Sequence, residues 1–145
     1  MELEPEEEIC YCVLLTGVTG FLGKVVLEEL FRRREEFKPV KVVIIARGKC
    51  DRSPETRFRE DIVSSPCFSN LPVKWVDSVQ VVEGDLSHPK CGIGNEIYER
   101  LTMAVTHIIH CAGSVDFELP VIEAAEANIT SALNVVELAR RCLKL

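Results

Sequence analysis

The segment Thr16-Gly17-Val18-Thr19-Gly20-Phe21-Leu22-Gly23 sets three glycines at intervals of three between an apolar run, Ile9 to Leu15, and an amphipathic stretch. A strand that ends in TGxxGxxG and continues as a helix supplies a tight turn, a bare backbone and the positive end of a helix dipole. Together these accommodate a pyrophosphate. Gly17 is then expected at positive φ, Gly20 leaves no side chain over the backbone, and Gly23 lets the helix lie close on the strand. An ordinary strand-to-helix turn is the other reading, but three glycines would weaken such a helix start without return. Thr16, Gly17, Thr19, Gly20, Phe21, Leu22 and Gly23 are therefore candidate dinucleotide-binding residues.

Three further groups of residues fall at ends of predicted strands. The run Val40 to Ala46 ends in Arg47, with Lys49 and Arg52 close behind. Where an NAD enzyme places an acid against the ribose hydroxyls, an arginine can pair with a 2′-phosphate, so the expected cofactor is NADPH. Asp85 follows Val79 to Glu83 and Gly84, either facing an adenine edge or closing a turn through its own side chain. His110-Cys111-Ala112-Gly113 follows the fourth apolar run. His110 can hydrogen-bond near a cofactor, but a satisfied structural histidine is the commoner case.

The elements that must carry these residues alternate regularly. Strands are expected at Ile9–Leu15, Val40–Ala46, Val79–Glu83 and Val105–Cys111. Helices are expected from Phe21 to about Arg34, from a Ser53 cap to about Val63, over Gly94–Leu101 and from about Pro120 to Leu143. The first helix should bury Leu22, Val26 and Leu30, with Arg32-Arg33-Arg34 as a solvated terminus that suits its dipole. Pro66 and Pro72 bound a loop. Strands separated by helices imply right-handed crossovers and an α/β fold, a Rossmann-type doubly wound parallel sheet in the order 3-2-1-4. The ligand should lie beyond the carboxyl ends of strands one and four.

Composition narrows the partners. The chain has 145 residues, 47% hydrophobic and 28% charged, which matches one ordinary domain over residues 9–145. Met1 to Glu8 holds five glutamates and no base, an expected disordered acidic tail that accounts for most of the net charge of −6. Nucleic acid is a poor partner for such a chain. No apolar run approaches the roughly 20 residues of a membrane span, and no leader precedes the first strand, so a soluble intracellular protein is expected. Seven cysteines without a CxxC pair argue against zinc and disulfides, and no metal site is expected.

Val13-Leu14-Leu15-Thr16-Gly17-Val18-Thr19-Gly20-Phe21-Leu22-Gly23-Lys24, Ile44-Ile45-Ala46-Arg47, Glu83-Gly84-Asp85-Leu86-Ser87 and Ile108-Ile109-His110-Cys111-Ala112-Gly113-Ser114-Val115-Asp116-Phe117 together resemble the amino-terminal part of the fatty acyl-CoA reductases. These are extended short-chain dehydrogenase/reductases. The segment Arg57 to Leu71 also resembles their insertion between strands two and three, and the resemblance covers residues 9–143. It implies NADPH-dependent reduction of a long-chain acyl-CoA, through an aldehyde, to a fatty alcohol. It implies a pyrophosphate on the Gly17 to Leu22 backbone and a 2′-phosphate at Arg47. Asp85 and Leu86 would meet the adenine, and Ala112 and Gly113 the ribose beside the nicotinamide. Cys111 is not needed as a nucleophile, because such enzymes pass hydride directly. Asn128 matches a helix asparagine near the proton relay, within Asn128-Ile129-Thr130-Ser131-Ala132 where the family has Asn-Val-x-Gly-Thr.

The same resemblance calls for a Tyr-x-x-x-Lys pair, in which the lysine lowers the tyrosine pKa. Leu15 stands four residues after Tyr11 and Thr102 four after Tyr98, so neither tyrosine supplies it. The chain is thus expected to be a cofactor-binding part, truncated after the fourth strand and its helix and inactive alone. Dimerisation through the last helix and the fourth-strand edge is expected, as is peroxisomal or endoplasmic-reticulum membrane association of full-length members. Two alternatives stay open. One is the thioester reductase domain of a carboxylic acid reductase or peptide synthetase; the other is a non-catalytic NADP(H)-binding module.

Overall fold

The computed structural model describes residues 10–37 and 40–145. The acidic segment Met1 to Glu8, Ile9 and Pro39 lie outside the described residues. Strand β1, Tyr11–Thr16, buries every side chain except that of Tyr11. Its apolar residues do not alternate with polar ones because both of its faces are covered. β1 pairs in parallel with β2, Val40–Ala46, setting Leu15 opposite Ile44 and Thr16 opposite Ile45. On its other side it pairs with β4, His107–His110, setting Thr16 opposite His110. β3, Val79–Glu83, pairs with β2, and the order is β3-β2-β1-β4. The expected α/β architecture and strand order are present.

Period-two geometry sends alternate side chains of this sheet into two cores. Leu14, Val43, Ile45 and Val82 pack with Tyr98 and Leu101 of helix α4, Asn95–Ala104, and with Val135 and Leu138 of helix α6, Ser131–Arg141. Val13, Leu15, Val42 and Ile44 pack with Leu27 and Phe31 of helix α1, Phe21–Arg32. The α1 face differs from the expected one. Gly23, Leu27 and Phe31 are buried, Val26 and Leu30 are only partly so, and Leu22 is 58% exposed. A Cβ on Gly23 would overlap the Gly17 carbonyl, so α1 is turned with residue 23 inward and the i+4 row follows it. Gly23 thus permits contact between the helix and the turn before it.

After α1 the chain breaks at Arg33 (φ −101°, ψ 24°) and resumes as α2, Arg34–Phe37. Arg33 donates to Glu36 at 3.1 Å and to Glu29 at 3.3 Å, and Arg32 pairs with Glu28 and Glu29, so the arginine triplet is a solvated helix end. The segment between β2 and β3 opens with α3, Pro54–Arg57, whose Ser53 cap accepts the Thr56 N–H at 3.1 Å. It continues as a π-type turn, Phe58–Val63. Its Phe58 and Phe68, with Phe31 of α1, close around Trp75: Phe68 stacks at 4.8 Å between centroids, Phe31 lies at 5.3 Å and Phe58 at 6.0 Å. The expected loop is therefore a packed unit fixed to α1.

The last helix starts as α5, Val121–Ala125, passes through a π-type turn, Glu126–Thr130, and ends as α6. One face is buried, while Val121, Ile122, Ile129, Leu133 and Val136 are exposed. All seven cysteines are free. Among the described residues, no helix is long and apolar enough to cross a membrane. Truncating the buried indole in Trp75→Ala is expected to cost about 3–5 kcal/mol in urea unfolding followed by circular dichroism. A loss under about 1 kcal/mol would show that the aromatic cluster is incidental to the fold.

Candidate functional site

The ends of all four strands open into one cavity of about 750 Å³. Gly17, Val18 and Thr19 form its wall after β1, Ala46 to Lys49 after β2, Gly84 to Ser87 after β3, and Ala112 to Ser114 after β4. Arg57 from α3 and Ala127 and Ser131 from the last helix complete it.

The β1 wall is bare backbone held in one conformation. Gly17 has φ +78°, and a Cβ on it would stand 2.5 Å from the Ala112 nitrogen and the Cys111 carbonyl carbon. A side chain is excluded there both by conformation and by space. The Gly20 N–H returns to the Gly17 carbonyl at 3.0 Å, closing the turn, and Gly20 starts α1 without a capping side chain. No acid lies in the first turn of α1. That helix end therefore carries unneutralised partial positive charge. Phe21 and Leu22, which follow, are 86% and 58% exposed. Thr16 is fully buried beneath the wall, its hydroxyl 2.7 Å from His110 Nδ1 and accepting the Ala112 N–H at 3.3 Å.

The β2 end is cationic. Arg47 and Lys49 are exposed at the cavity. A two-residue reversal, closed by Lys49 N–H to Arg52 O at 3.0 Å and Arg52 N–H to Lys49 O at 3.1 Å, follows them, with Cys50 and Asp51 at positive φ. This reversal separates Arg52 from the site. Arg52 instead pairs with Asp61 at 2.8 Å and Glu60 at 3.2 Å, so it does not add to the cationic patch as the sequence suggested. Arg57 takes that place. Its Nη1 donates to the Arg47 carbonyl at 2.6 Å, and its Nε, buried and without a hydrogen bond among the described residues, lies 3.7 Å from Asp61 Oδ2. Arg57 lies in an insertion ten residues past Arg47, and nothing local in the sequence singles it out.

Asp85 serves two purposes. Its Oδ1 accepts from Ser87 N at 3.0 Å and Ser87 Oγ at 2.7 Å, the turn-closing geometry, while Oδ2 faces Arg47 and His88, each at 3.7 Å. Burial acts to raise its pKa, but the Ser87 hydrogen bonds and the nearby Arg47 and His88 side chains outweigh it and hold the carboxyl below its ordinary range. The loop is secured from two sides. Lys90, Cys91 and Gly92 form a left-handed run with φ of 56°, 58° and 62°, which brings Gly92 against the Asp85 backbone. Asn134 on α6 donates to the Leu86 carbonyl at 2.8 Å. The β4 loop is clamped too: Asn128 accepts the Ser114 N–H at 2.7 Å and donates to the Ser114 carbonyl at 3.1 Å. Both ends of the Asn128 amide are engaged with Ser114, which ties the β4 loop to the last helix.

The residues fit a dinucleotide. Bare backbone at Gly17 and Gly113 and the Arg47, Lys49 and Arg57 side chains meet at one cavity, with Gly17 three residues before an uncapped helix start. The male sterility protein model matches residues 15–145, nearly the whole chain. The chain belongs to that family. As a male sterility family member it has a nicotinamide-dinucleotide-binding fold, as the resemblance to fatty acyl-CoA reductases implied. It is 35% identical over 136 residues to fatty acyl-CoA reductase 1 of Gallus gallus, a match that covers 92% of this chain and 26% of that protein. Among solved structures it is similar to the terminal R domain from the myxalamid PKS-NRPS biosynthetic pathway, with 29% identity and a TM-score of 0.76 over 91% of this chain and 32% of that one. It is also similar to the reductase (R) domain of a non-ribosomal peptide synthetase from Mycobacterium tuberculosis, with 27% identity and a TM-score of 0.72 over 91% and 31% of the two chains. The chain thus spans about a quarter of the curated relative and a third of these structures.

Burial lowers the pKa of His110 from the ordinary 6.5. The folded state therefore favours the neutral ring. The stability this contributes is present above pH 6.5 and is lost as pH falls through the lowered value. His110 should titrate below 6.5 by NMR, and stability should decline over the same interval. A midpoint at or above 6.5 would contradict this assignment.

Proposed function

We propose that this chain is the NADPH-binding part of a reductase that converts long-chain acyl-CoA to fatty alcohol. The 35% identity to a fatty acyl-CoA reductase supports the substrate class, and the meeting of Arg47, Lys49 and Arg57 at one end of the cavity supports the cofactor. Arg47 and Arg57 would pair with the 2′-phosphate, which offers charged acceptors to two forked donors. The backbone of Gly17 to Leu22 would hold the pyrophosphate at the start of α1. Asp85 and Leu86 would take the adenine, and Ala112 and Gly113 the nicotinamide ribose. When bound, the dinucleotide supplies hydride. This chain's own part is to orient it and shield one side of it.

Proton delivery to the developing alkoxide calls for an acid, and neither Tyr11 nor Tyr98 has a lysine four residues on. Tyr98 is also 1% exposed and packed in the core away from the cavity. The chain alone accordingly binds cofactor without turning over acyl-CoA. The exposed apolar face of α5 and α6 is where a second copy would pack. A thioester reductase domain is the second reading, supported by the similarity to synthetase R domains.

Calorimetric titration tests the cofactor choice. NADPH should bind at least about tenfold more tightly than NADH, and Arg47→Ala and Arg57→Ala should each weaken NADPH by roughly tenfold while leaving NADH unchanged. Equal affinities for the two dinucleotides would overturn the NADPH assignment. Mixing the chain with NADPH and palmitoyl-CoA should give no substrate-dependent loss of NADPH absorbance. Sustained oxidation would show that an acid within this chain had been overlooked.

A further inference from the structure

Buried Thr16 and half-buried His110 form a polar pair beneath the cavity, and it joins the two walls a dinucleotide would contact. The Thr16 hydroxyl is 2.7 Å from His110 Nδ1 and also accepts the Ala112 N–H at 3.3 Å. A threonine hydroxyl has one proton and two lone pairs. With Ala112 donating to it, its own proton needs an acceptor, and the group is fully buried, out of reach of water. His110 Nδ1 is the acceptor within reach. If Nδ1 carried a proton instead, both donors would point at the Thr16 oxygen and the hydroxyl hydrogen would be left unpaired in the interior, a costly arrangement.

We infer that His110 is a positioning residue, held as the neutral tautomer with its proton on Nε2, which through Thr16 fixes the Ala112 peptide against Gly17 and so sets the gap between the two phosphate- and ribose-facing loops. The register supports it, because Thr16 and His110 are direct partners at the last rung of β1 and β4. Next to that rung the Cys111 N–H bonds the Thr16 carbonyl at 3.3 Å, so backbone and side chain of Thr16 hold consecutive amides of the same loop. The Gly17 Cα lies directly against those amides. A shift of the loop by a few tenths of an ångström would therefore be felt at Gly17. Burial keeps the imidazole neutral and is consistent with the tautomer.

The effect on cofactor affinity rests on the NADPH reading, whereas the tautomer and the Ala112 bond do not. The test uses the full 145-residue chain, ¹⁵N-labelled, with NADPH as the probe. A long-range ¹H–¹⁵N spectrum without ligand should show His110 protonated at Nε2. The amide oxygen of asparagine falls near the position of histidine Nδ1, whereas the glutamine amide reaches the position of Nε2. His110→Asn should therefore preserve slow exchange of the Ala112 amide and bind NADPH within about threefold of the unmodified chain. His110→Gln should speed Ala112 exchange and weaken NADPH by roughly tenfold. Protonation at Nδ1, or Ala112 exchange equally fast in both variants, overturns the inference. If the unmodified chain binds no NADPH, the cofactor reading fails, and the tautomer and Ala112 exchange still decide the role of His110. A glutamine variant that fails to fold leaves the tautomer of the unmodified chain as the deciding observation.

Discussion

Gly17 stands so close to the Cys111–Ala112 peptide that a methyl group on it would lie 2.5 Å from the Ala112 nitrogen. That contact sets the geometry of everything above the sheet. It requires a residue without Cβ at positive φ directly after β1, and it brings the β1 and β4 loops together as one surface. It also fixes the rotation of α1, because Gly23 must in turn sit on the Gly17 carbonyl. Leu27 and Phe31 then point into the sheet, and the uncapped start of α1 faces the cavity end of β1. A single backbone approach thus links core packing to the part of the molecule suited to an anion.

The second support comes from the far side of β2. Trp75, gripped by Phe31, Phe58 and Phe68, welds the insertion to α1. Phe58 directly follows Arg57, so burying that ring carries the guanidinium to the cavity and against the Arg47 carbonyl. Buried aromatic area supplies the stabilisation, and the cation is placed as its consequence. The insertion is thereby part of the site as well as of the core.

Much of this was legible from local pattern. The strand order followed from strands alternating with helices, and the glycine loop followed from TGxxGxxG between a strand and a helix. The Ser53 cap and the Pro54 helix start behaved as their residue types dictate. What could not be read depends on contacts between distant segments. The α1 face was misplaced by one residue because apolar spacing fits Leu22-Val26-Leu30 as well as Gly23-Leu27-Phe31, and only the contact with Gly17 chooses. Arg52 and Arg57 are indistinguishable by type; a tight reversal at Cys50-Asp51 and the burial of Phe58 decide which of them faces the cavity. The left-handed run Lys90-Cys91-Gly92 has a single glycine to announce it. The two bonds of Asn128 to Ser114 are visible only once the loop and helix are in place.

The central claim is that four strand-end loops form one preorganised dinucleotide surface. Amide chemical-shift mapping during titration with 2′-phospho-ADP-ribose, which carries the adenine, the 2′-phosphate, the pyrophosphate and the second ribose but no nicotinamide, tests it most directly. Gly17 to Thr19, Arg47 to Lys49, Gly84 to Asp85 and Ala112 to Gly113, together with Arg57, should shift with one apparent affinity. Shifts confined to exposed lysines and arginines elsewhere, or differing affinities for the separate loops, would contradict a single preformed site.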